Sequence, residues 1–378
     1  MSGNKRVVVI GGTGHFGGRI CHRLVGDPNT ELLVTSRSLE SAQALVRELQ
    51  SSTPKAEVSA AELNQSLQTF PQDLAKLRPD IVIHTAGPYQ GQDYRVAEAC
   101  IACGSHYVDL ADGREFVEEF DSLNARAKAK GVLLVSGAST LPGLSSAIVD
   151  YLYAEFDTIS AVEISIAPAH QTPRGPGTIA AVLSYCGKPF QVLEDGEWVT
   201  RYGWQNMRRQ SYPEVGSRWS AACDVPDLGL LAGYLPDPQT VTFHAALEAK
   251  WEQIALWLMA GLTRIGLIRS WQGLVPSFGW ISDRLIGFGS DKGGMHVRVS
   301  GIGTNGRPMI RNWNLTARRN HGPEIPCTPA LILARKLVAG KISRTGAVAC
   351  LGLISMADFD AEVDDLEIDW EIREEQAR

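Results

Sequence analysis

The sequence has no long hydrophobic run, and this absence excludes an ordinary membrane-spanning helix. Its most apolar stretch, residues 254–262, is bounded by Glu252 and Arg264, whereas a bilayer span needs about 20 apolar residues. We predict that this stretch is a core or interface helix, and contact with a membrane surface is the alternative. We also expect no signal peptide, because strand-forming residues begin almost at the N-terminus.

Basic residues are not in excess, and the cysteines show no disulfide framework. The formal net charge is −6, which argues against nucleic acid as a partner. The seven cysteines are scattered and odd in number, so we expect reduced thiols and a cytoplasmic protein. Cys100 and Cys103 have redox or zinc spacing but no second pair nearby, so we predict a structural role for them and no metal site.

Several catalytic motifs are absent as well. No tyrosine is followed four residues later by a lysine, which excludes the usual proton-donor pair of short-chain dehydrogenases. The sequence also lacks a Gly-x-Ser-x-Gly elbow, a His-Glu-x-x-His helix and a Walker loop. These absences argue against serine hydrolase, zinc protease and P-loop nucleotide hydrolase chemistry.

What the sequence does contain is a glycine-rich turn between a β-branched strand, residues 7–10, and an amphipathic helix. Such a turn needs glycine for the sharp exit from the strand, for close approach to a pyrophosphate and for packing of the helix on the strand. The helix N-terminus offers its N–H groups to the phosphates. We therefore predict that a dinucleotide is bound by Gly11, Thr13, Gly14, His15, Phe16 and Gly17.

Strand and helix patterns alternate through the first part of the chain. Further strands are predicted at residues 32–36, 57–60, 80–85, 106–110 and 132–136, with helices at 38–49, 93–103 and 115–130. Strands joined by helical crossovers predict an α/β fold with a doubly wound parallel sheet of the Rossmann type. We place this NAD(P)-binding domain at residues 1–147.

From about residue 160 the pattern changes to alternating polar and apolar residues. This alternation predicts an antiparallel sheet with strands at 161–166, 240–247, 295–302 and 308–317. We therefore expect a second, α+β domain for substrate binding and dimerisation at residues 148–322. Residues 323–356 are expected to pack back on the first domain, and residues 357–378 to form an acidic, solvated tail.

The end of the second strand predicts a preference for NADP(H) over NAD(H). NAD-specific sites place an acidic residue there to accept a hydrogen bond from the ribose 2′-hydroxyl. Here Ser36 and Arg37 occupy the position, and no carboxylate follows until Glu40. An arginine with hydroxyl groups suits a 2′-phosphate. The alternative is an ordinary surface arginine.

Two later turns complete the expected cofactor site. Thr85, Ala86, Gly87 and Pro88 end the fourth strand, where backbone groups would lie along the nicotinamide ribose. Ser139, in the turn after the sixth strand, is expected near the nicotinamide ring. The alternative for the first turn is an ordinary strand-to-helix connection.

Three residues are candidates for substrate chemistry. Arg174 lies in a Pro/Gly-rich segment between a strand and a helix, and a cation beside a helix N-terminus suits a substrate carboxylate. A connection with a solvated arginine is the alternative. Tyr89 and Asp109, which follow or end predicted strands, are candidates for proton transfer. Capping of the next helix is the alternative for Asp109.

These segments together resemble the saccharopine dehydrogenase-like family in its compact bacterial form. The resemblance rests on residues 9–17, on residues 85–88 and above all on residues 96–110, whose V-x-E-A-C and G-x-x-Y-V-D patterns are similar to those of the family. In the second half, residues 174–178, 224–228 and 293–297 look like uncharacterised bacterial members.

The resemblance implies a Rossmann domain with an α+β substrate and dimerisation domain, and NAD(P)-linked chemistry at an imine formed from an amine and a 2-oxo acid. We therefore predict an NADPH-dependent oxidoreductase, a homodimer, acting on the C=N bond of a small, amino-acid-like (opine-type) substrate. One alternative is reduction of a C=C or C=O bond in a hydrophobic substrate, with Trp251, Trp257, Trp271 and Trp280 lining a pocket or resting on lipid. A nucleotide-binding protein without turnover is the other.

Overall fold

The computed structural model describes residues 4–375. The chain divides into two compact units. Unit 1 comprises Met1–Gly143 and Glu324–Ile354, and unit 2 comprises Leu144–Pro323 and Ser355–Arg378. Unit 1 contains a parallel sheet with helical crossovers, and unit 2 contains a second, mainly antiparallel sheet. The fold class predicted from the sequence is therefore confirmed.

The helices and strands follow one another in this order. The first half contains β1 (Lys5–Ile10), α1 (His15–Leu24), β2 (Thr30–Ser36), α2 (Leu39–Ser51), β3 (Glu57–Glu62), α3 (Phe70–Leu77), β4 (Ile81–His84), α4 (Arg95–Cys103), β5 (His106–Asp109), α5 (Arg114–Glu118), α6 (Asn124–Lys130), β6 (Leu133–Ser136), α7 (Ser145–Tyr153), β7 (Phe156–Ala167) and α8 (Pro176–Ser184). The second half contains β8 (Pro189–Glu194), β9 (Glu197–Tyr202), β10 (Arg208–Tyr212), β11 (Gly216–Ala222), α9 (Asp227–Tyr234), β12 (Thr240–Ala246), α10 (Lys250–Arg264), α11 (Val275–Leu285), β13 (Gly293–Gly303), β14 (Pro308–Ala317), α12 (Thr328–Val338), β15 (Gly346–Ala349), α13 (Met356–Val363) and β16 (Ile368–Glu375).

Unit 1 is built on a seven-stranded sheet in the order β3-β2-β1-β4-β5-β6-β15. Every neighbouring pair is parallel. The valines of β1 are fully buried, as expected for a central parallel strand covered on both faces. The strand order reverses beside β1, and open sheets of this kind bind ligands at the carboxyl ends of the strands at such a reversal.

Unit 2 contains a nine-stranded sheet whose main path is β10-β11-β12-β7-β13-β14-β16, with β8 pairing β12 and β9. Only β12 and β7 run parallel along that path. Ile164, Val297 and Trp313 stand in register on one face and are fully buried. Ser165 and His296 stand in register on the other face. The sheet therefore has one apolar and one polar side.

The acidic C-terminal segment differs from the solvated tail expected from its composition. Over the described residues it forms α13 and β16, and β16 pairs antiparallel with β14. Trp370 stacks on the fully buried Trp313 with ring centroids 5.9 Å apart. Exposed acidic residues alternate along β16 with Ile368, Trp370 and Ile372. These apolar side chains attach the strand to the sheet. The acidic composition of the segment as a whole suggested a solvated tail, because an average does not show that the apolar residues alternate.

The apolar stretch 254–262 lies within α10, which buries Gln253, Leu256 and Ala260. It is thus a helix that packs against unit 2 along one side, while other side chains of the same helix are exposed. Within residues 4–375, no helix is both long enough and apolar enough to cross a membrane.

Candidate functional site

The glycine turn after β1 brings the start of α1 against the end of the strand. Gly11 has a φ of +76°, a conformation that glycine adopts without strain. A Cβ atom on Gly17 would lie 2.2 Å from the carbonyl oxygen of Gly11 and 2.7 Å from Thr85 Oγ1. The N–H of Gly14 donates to the Gly11 carbonyl over 2.8 Å. The turn therefore has this shape only because these positions are glycines.

The N-terminus of α1 is open for an anion. Its N-cap, Gly14, has no side chain to occupy the first-turn amides, and the helical hydrogen bonds begin with Gly18 N–H donating to the Gly14 carbonyl over 2.9 Å. The amides of the first turn therefore lie outside the helical ladder. Burial lowers the pKa of His15, so this residue is neutral at pH 7. The attraction for an anion at this end of the helix therefore comes from the backbone N–H groups.

Hydroxyl groups and an exposed arginine meet at the end of β2. Thr13 Oγ1 donates to Ser36 Oγ over 3.2 Å, and the side chain of Arg37 is exposed. The structure thus brings Thr13 and Ser36 together, as predicted for a cofactor site. Glu62, at the end of β3, pairs in register with Ser36. The sequence pattern did not place this exposed carboxylate here, because sheet register joins residues far apart in the chain.

The turn after β4 contacts the glycine turn directly. Thr85 Oγ1 donates to the carbonyl of Ile10 over 2.8 Å. Gln92 Nε2 donates to the carbonyls of Ala86 and Pro88 over 3.0 and 2.6 Å. Two of the predicted cofactor segments, 11–17 and 85–88, therefore form one continuous surface. Gln92, which fixes the second of them, was not predicted.

Tyr89 is 4% exposed, and its hydroxyl donates to the carbonyl of His84 over 2.6 Å. Burial raises the pKa of Tyr89 above its usual value. A phenol that is buried, bonded and hard to ionise is better suited to hold the turn after β4 than to exchange protons. Its contacts therefore favour a positioning role.

Asp109 is fully buried at the end of β5, and it joins the loops after β5 and β6. Its Oδ1 accepts from the N–H groups of Ala111 and Gly137 over 2.9 and 2.8 Å. The same oxygen accepts from the Ser136 hydroxyl over 3.0 Å. Burial raises the pKa of Asp109 to about 6, although these hydrogen bonds act in the opposite direction and lower it. Ser139, 8% exposed, lies in the loop that Asp109 holds.

In unit 2, Arg174 belongs to a cluster of charged groups with little exposure. Its Nη1 lies 3.3 Å from Glu252 Oε2, and His170 Nδ1 lies 3.7 Å from the same oxygen. Arg174 Nη2 is buried and has no hydrogen-bond partner. Buried donors in proteins are nearly always bonded, so this one marks a place where an acceptor would be stabilised.

A second carboxylate completes the cluster. Glu248 lies 3.2 Å from Arg218 Nη2 and accepts from the N–H groups of His170 and Ser290 over 3.0 and 2.8 Å. The sequence analysis predicted Arg174 alone. Glu248 lies two residues before α10 and Glu252 lies in the first turn of that helix, and no pattern in the sequence marked them as members of this cluster.

Residues 324–327 contact the helix α1 from the later part of the chain. Arg19 pairs with Glu324, and the thiol of Cys327 lies 3.7 Å from the carbonyl of Phe16. None of the seven cysteines, all of which lie within the described residues, is in a disulfide. Across residues 4–375, no group of three or more His, Cys, Asp or Glu side chains is arranged to hold a metal ion.

Comparison with known proteins connects unit 1 to a described family. The family model for the saccharopine dehydrogenase NADP binding domain matches residues 7–135, which contain the glycine turn, the turn after β4 and Asp109. No curated protein matches the chain in sequence.

Solved structures extend the likeness to the whole chain. Saccharopine dehydrogenase (L-Glu forming) from Saccharomyces cerevisiae is 13% identical, with a TM-score of 0.67 over 99% of this chain and 100% of that chain. An amine dehydrogenase from Mycobacterium smegmatis is 12% identical, with a TM-score of 0.49 over 92% of this chain and 95% of that one. The first match shows a shared fold, and the second is too weak to support an argument. The resemblance seen in the sequence is thus confirmed: residues 7–135 match the model of the saccharopine dehydrogenase NADP binding domain, and the chain shares the fold of a saccharopine dehydrogenase.

Proposed function

We propose that the protein is an NADPH-dependent oxidoreductase that transfers a hydride to or from the C=N bond of an amino-acid-like substrate. The observation that carries the proposal is the glycine turn, where Gly17 packs so closely on Gly11 that no Cβ would fit. This packing leaves the open N-terminus of α1 beside the turn, as a bound pyrophosphate requires. When bound, the nicotinamide would supply or accept the hydride.

The remaining cofactor contacts follow from the same surface. We propose that the dinucleotide is held by Gly11, Thr13, Gly14, His15, Phe16, Gly17, Ser36, Arg37, Thr85, Ala86, Gly87, Pro88 and Ser139. The exposed Arg37 and the hydroxyls of Thr13 and Ser36 would bind the 2′-phosphate of NADPH. Glu62 stands near this position and would oppose the phosphate, so the preference depends on Arg37 outweighing Glu62.

The substrate class is argued from Arg174. Its Nη1 is occupied by Glu252, whereas its buried Nη2 lacks an acceptor. A substrate carboxylate would fill that vacancy with a charge-assisted hydrogen bond, and Glu252 would keep the guanidinium in place. An amine and a 2-oxo acid, the two components of a C=N bond of this type, bring such a carboxylate. The name of the yeast protein of the same fold, saccharopine dehydrogenase (L-Glu forming), agrees with this chemistry.

Tyr89 and Asp109 have contacts that suit positioning better than proton transfer. If Asp109 exchanged the proton, the rate should titrate near its pKa of about 6. If Asp109 only positions the loop of Ser139, Asp109→Asn should raise KM for NADPH without moving the pH profile. We propose the positioning role for both residues. For Asp109, the pH profiles of the wild type and of Asp109→Asn decide between the two roles.

The experiment is a turnover assay with purified full-length protein. NADPH oxidation is followed with a panel of paired amines and 2-oxo acids, and Arg174→Gln is compared with Arg201→Gln, which removes another paired arginine of unit 2. We expect turnover by the wild type, and a KM for the 2-oxo acid that rises about tenfold or more in Arg174→Gln alone. Equal activity of both variants would contradict the assignment of Arg174.

A second candidate function is reduction of a C=C or C=O bond in a hydrophobic substrate. The observation that favours it is the helix α10, which carries Glu252 on one side and exposed Trp251 and Trp257 on another. NADPH consumption with an enoyl or keto substrate of long chain length, and none with amine and 2-oxo-acid pairs, would establish this alternative.

A further inference from the structure

Exposed apolar side chains are concentrated in one segment of unit 2. More than half of the large apolar side chains that are exposed in the described part of the chain lie between residues 250 and 288. Single exposed apolar residues are normal, but a concentration of them in one segment is typical of an interaction surface. We call the exposed apolar side chains of this segment the apolar patch; its principal members are Trp251, Ile254, Trp257, Leu258, Trp280 and Phe288.

The patch includes a whole face of α10. Exposed Trp251, Ile254 and Leu258 recur at helical spacing, and Leu262 and Ile265 continue the same row. At about 100° per residue, these positions fall within less than half of the helix circumference. The opposite side buries Leu256 and Ala260 against unit 2. The helix α10 therefore has two apolar sides, of which one is packed within unit 2 and the other is exposed.

The following helix has the same character. None of the residues of α11 is buried, and Trp280 within it is 60% exposed. Arg284 lies over the ring of Trp280, with its Cζ 4.7 Å from the ring centroid. Tryptophan and arginine are both residue types that helices lying on a bilayer surface carry.

The charged residues of this segment are predominantly positive. Between residues 250 and 288 they are Lys250, Arg264, Arg269 and Arg284 against Glu252 and Asp283. Glu252 is turned inward, with 11% of its side chain exposed, and pairs with Arg174. The accessible charges of this segment, which we call the cationic rim of the patch, are therefore mostly positive, although the chain as a whole has a net charge of −6.

We infer that the apolar patch docks on the surface of a bilayer that contains anionic lipids. The aromatic side chains would enter the boundary between headgroups and acyl chains, and the cationic rim would meet the anionic headgroups. A second copy of this chain fits less well, because a two-fold contact of the patch with itself would oppose two cationic rims. This inference concerns peripheral binding to a membrane surface, and it does not depend on the proposed catalytic activity.

The test uses the full-length protein and vesicle flotation. The vesicles are phosphatidylcholine alone or an equimolar mixture of phosphatidylcholine and phosphatidylglycerol. The patch variant is Trp251→Ser with Trp257→Ser, at side chains that are 53% and 39% exposed. The control variant is Trp198→Ser with Trp219→Ser, at side chains outside the patch that are 52% and 40% exposed. A charge variant, Arg269→Gln with Arg284→Gln, tests the rim.

We expect the wild type and the control to float with the mixed vesicles and much less with phosphatidylcholine alone. The patch variant should need about tenfold more lipid for half-maximal binding, and the charge variant should lose its preference for phosphatidylglycerol. If the patch variant fails to fold, the charge variant still decides. Absence of wild-type binding to either vesicle would overturn the inference. Equal binding by patch and control variants would overturn it too, as would a change of oligomeric state in the patch variant without vesicle binding.

Discussion

Gly17→Ala should damage the nucleotide site through a steric conflict that can be sized from the structure. The new methyl group would lie 2.2 Å from the carbonyl oxygen of Gly11, about 1 Å short of ordinary contact. The oxygen belongs to the backbone and the methyl carbon is bonded rigidly to it, so the turn after β1 or the start of α1 must move. Overpacking of this kind costs about 1–3 kcal/mol of folding free energy.

The same displacement should weaken NADPH binding. A shift of about 1 Å lengthens the hydrogen bonds that the first-turn amides of α1 would donate to phosphate, and each charge-assisted bond contributes about 1.5–3 kcal/mol. Loss of one bond therefore raises the Kd for NADPH by about 10- to 150-fold. Fluorescence titration with NADPH measures this change, and urea unfolding measures the accompanying loss of stability.

Gly18→Ala is the matched control. It adds the same methyl group to the next residue of α1, where the nearest atom, the carbonyl oxygen of Gly12, is 3.7 Å away. Because alanine favours the helix over glycine, this variant should be unchanged or about 0.5–1 kcal/mol more stable, and it should bind NADPH as the wild type does. If Gly17→Ala retained the wild-type Kd and stability, the reasoning from the close contact would be refuted.

Three further predictions concern individual residues. Arg37→Gln should raise the Kd for NADPH about tenfold or more and leave that for NADH unchanged, because only NADPH carries the 2′-phosphate; equal losses in the two titrations would contradict the assignment. Burial raises the pKa of Asp227 to about 7, so the folded state retains a proton that the unfolded state has released, and its contribution to stability falls between about pH 4 and pH 7, by up to about 1.4 kcal/mol per pH unit. Asp227→Asn keeps an acceptor for the hydroxyl of Ser145, and it should reduce this fall of stability with pH in urea unfolding. An unchanged pH dependence would contradict the assignment of the effect to Asp227. Asp109→Ala should cost about 2–4 kcal/mol in urea unfolding because three donors lose their acceptor, whereas Asp109→Asn should cost less; equal losses would argue against the hydrogen bonds as the cause.

The architecture of unit 1 could be predicted because its strands are encoded locally. The buried valines of β1, the glycine turn and the helix that follows occupy consecutive residues, and each specifies its own geometry. The strand β15 at the edge of the same sheet comes from Gly346–Ala349, next to β6. Residues 323–356 were expected to pack on the first domain, but their pattern did not predict a further strand of the sheet.

Unit 2 was harder to predict because much of its sheet is polar or exposed. The hairpin of β13 and β14 has clear alternation around Asn305 and Gly306. Most residues of the strands β8 to β11 are exposed or half-buried, so hydrophobic periodicity gave little signal for these strands. These strands are defined by pairing with one another and with β12, which depends on long-range contacts.

The candidate site follows the same division. Thr13 and Ser36 were predicted to share a site, and their hydroxyls lie 3.2 Å apart. The surroundings of Arg174 could not be predicted, because Glu252 lies far along the chain and reaches Arg174 through the packing of α10. Local patterns thus identify the backbone of a nucleotide site, whereas charge pairing within a fold depends on which helices and loops meet.

The central claim, NADPH-dependent hydride transfer at a C=N bond, is tested most directly with deuterium. NADPH labelled at the transferable position of nicotinamide C4 is incubated with the protein, an amine and a 2-oxo acid, and the products are analysed by mass spectrometry. The account predicts one deuterium on the carbon of a newly formed C–N bond in the product. NADPH that binds and stays fully labelled, or deuterium found only in the reduced product of a hydrophobic C=C or C=O substrate, would contradict it.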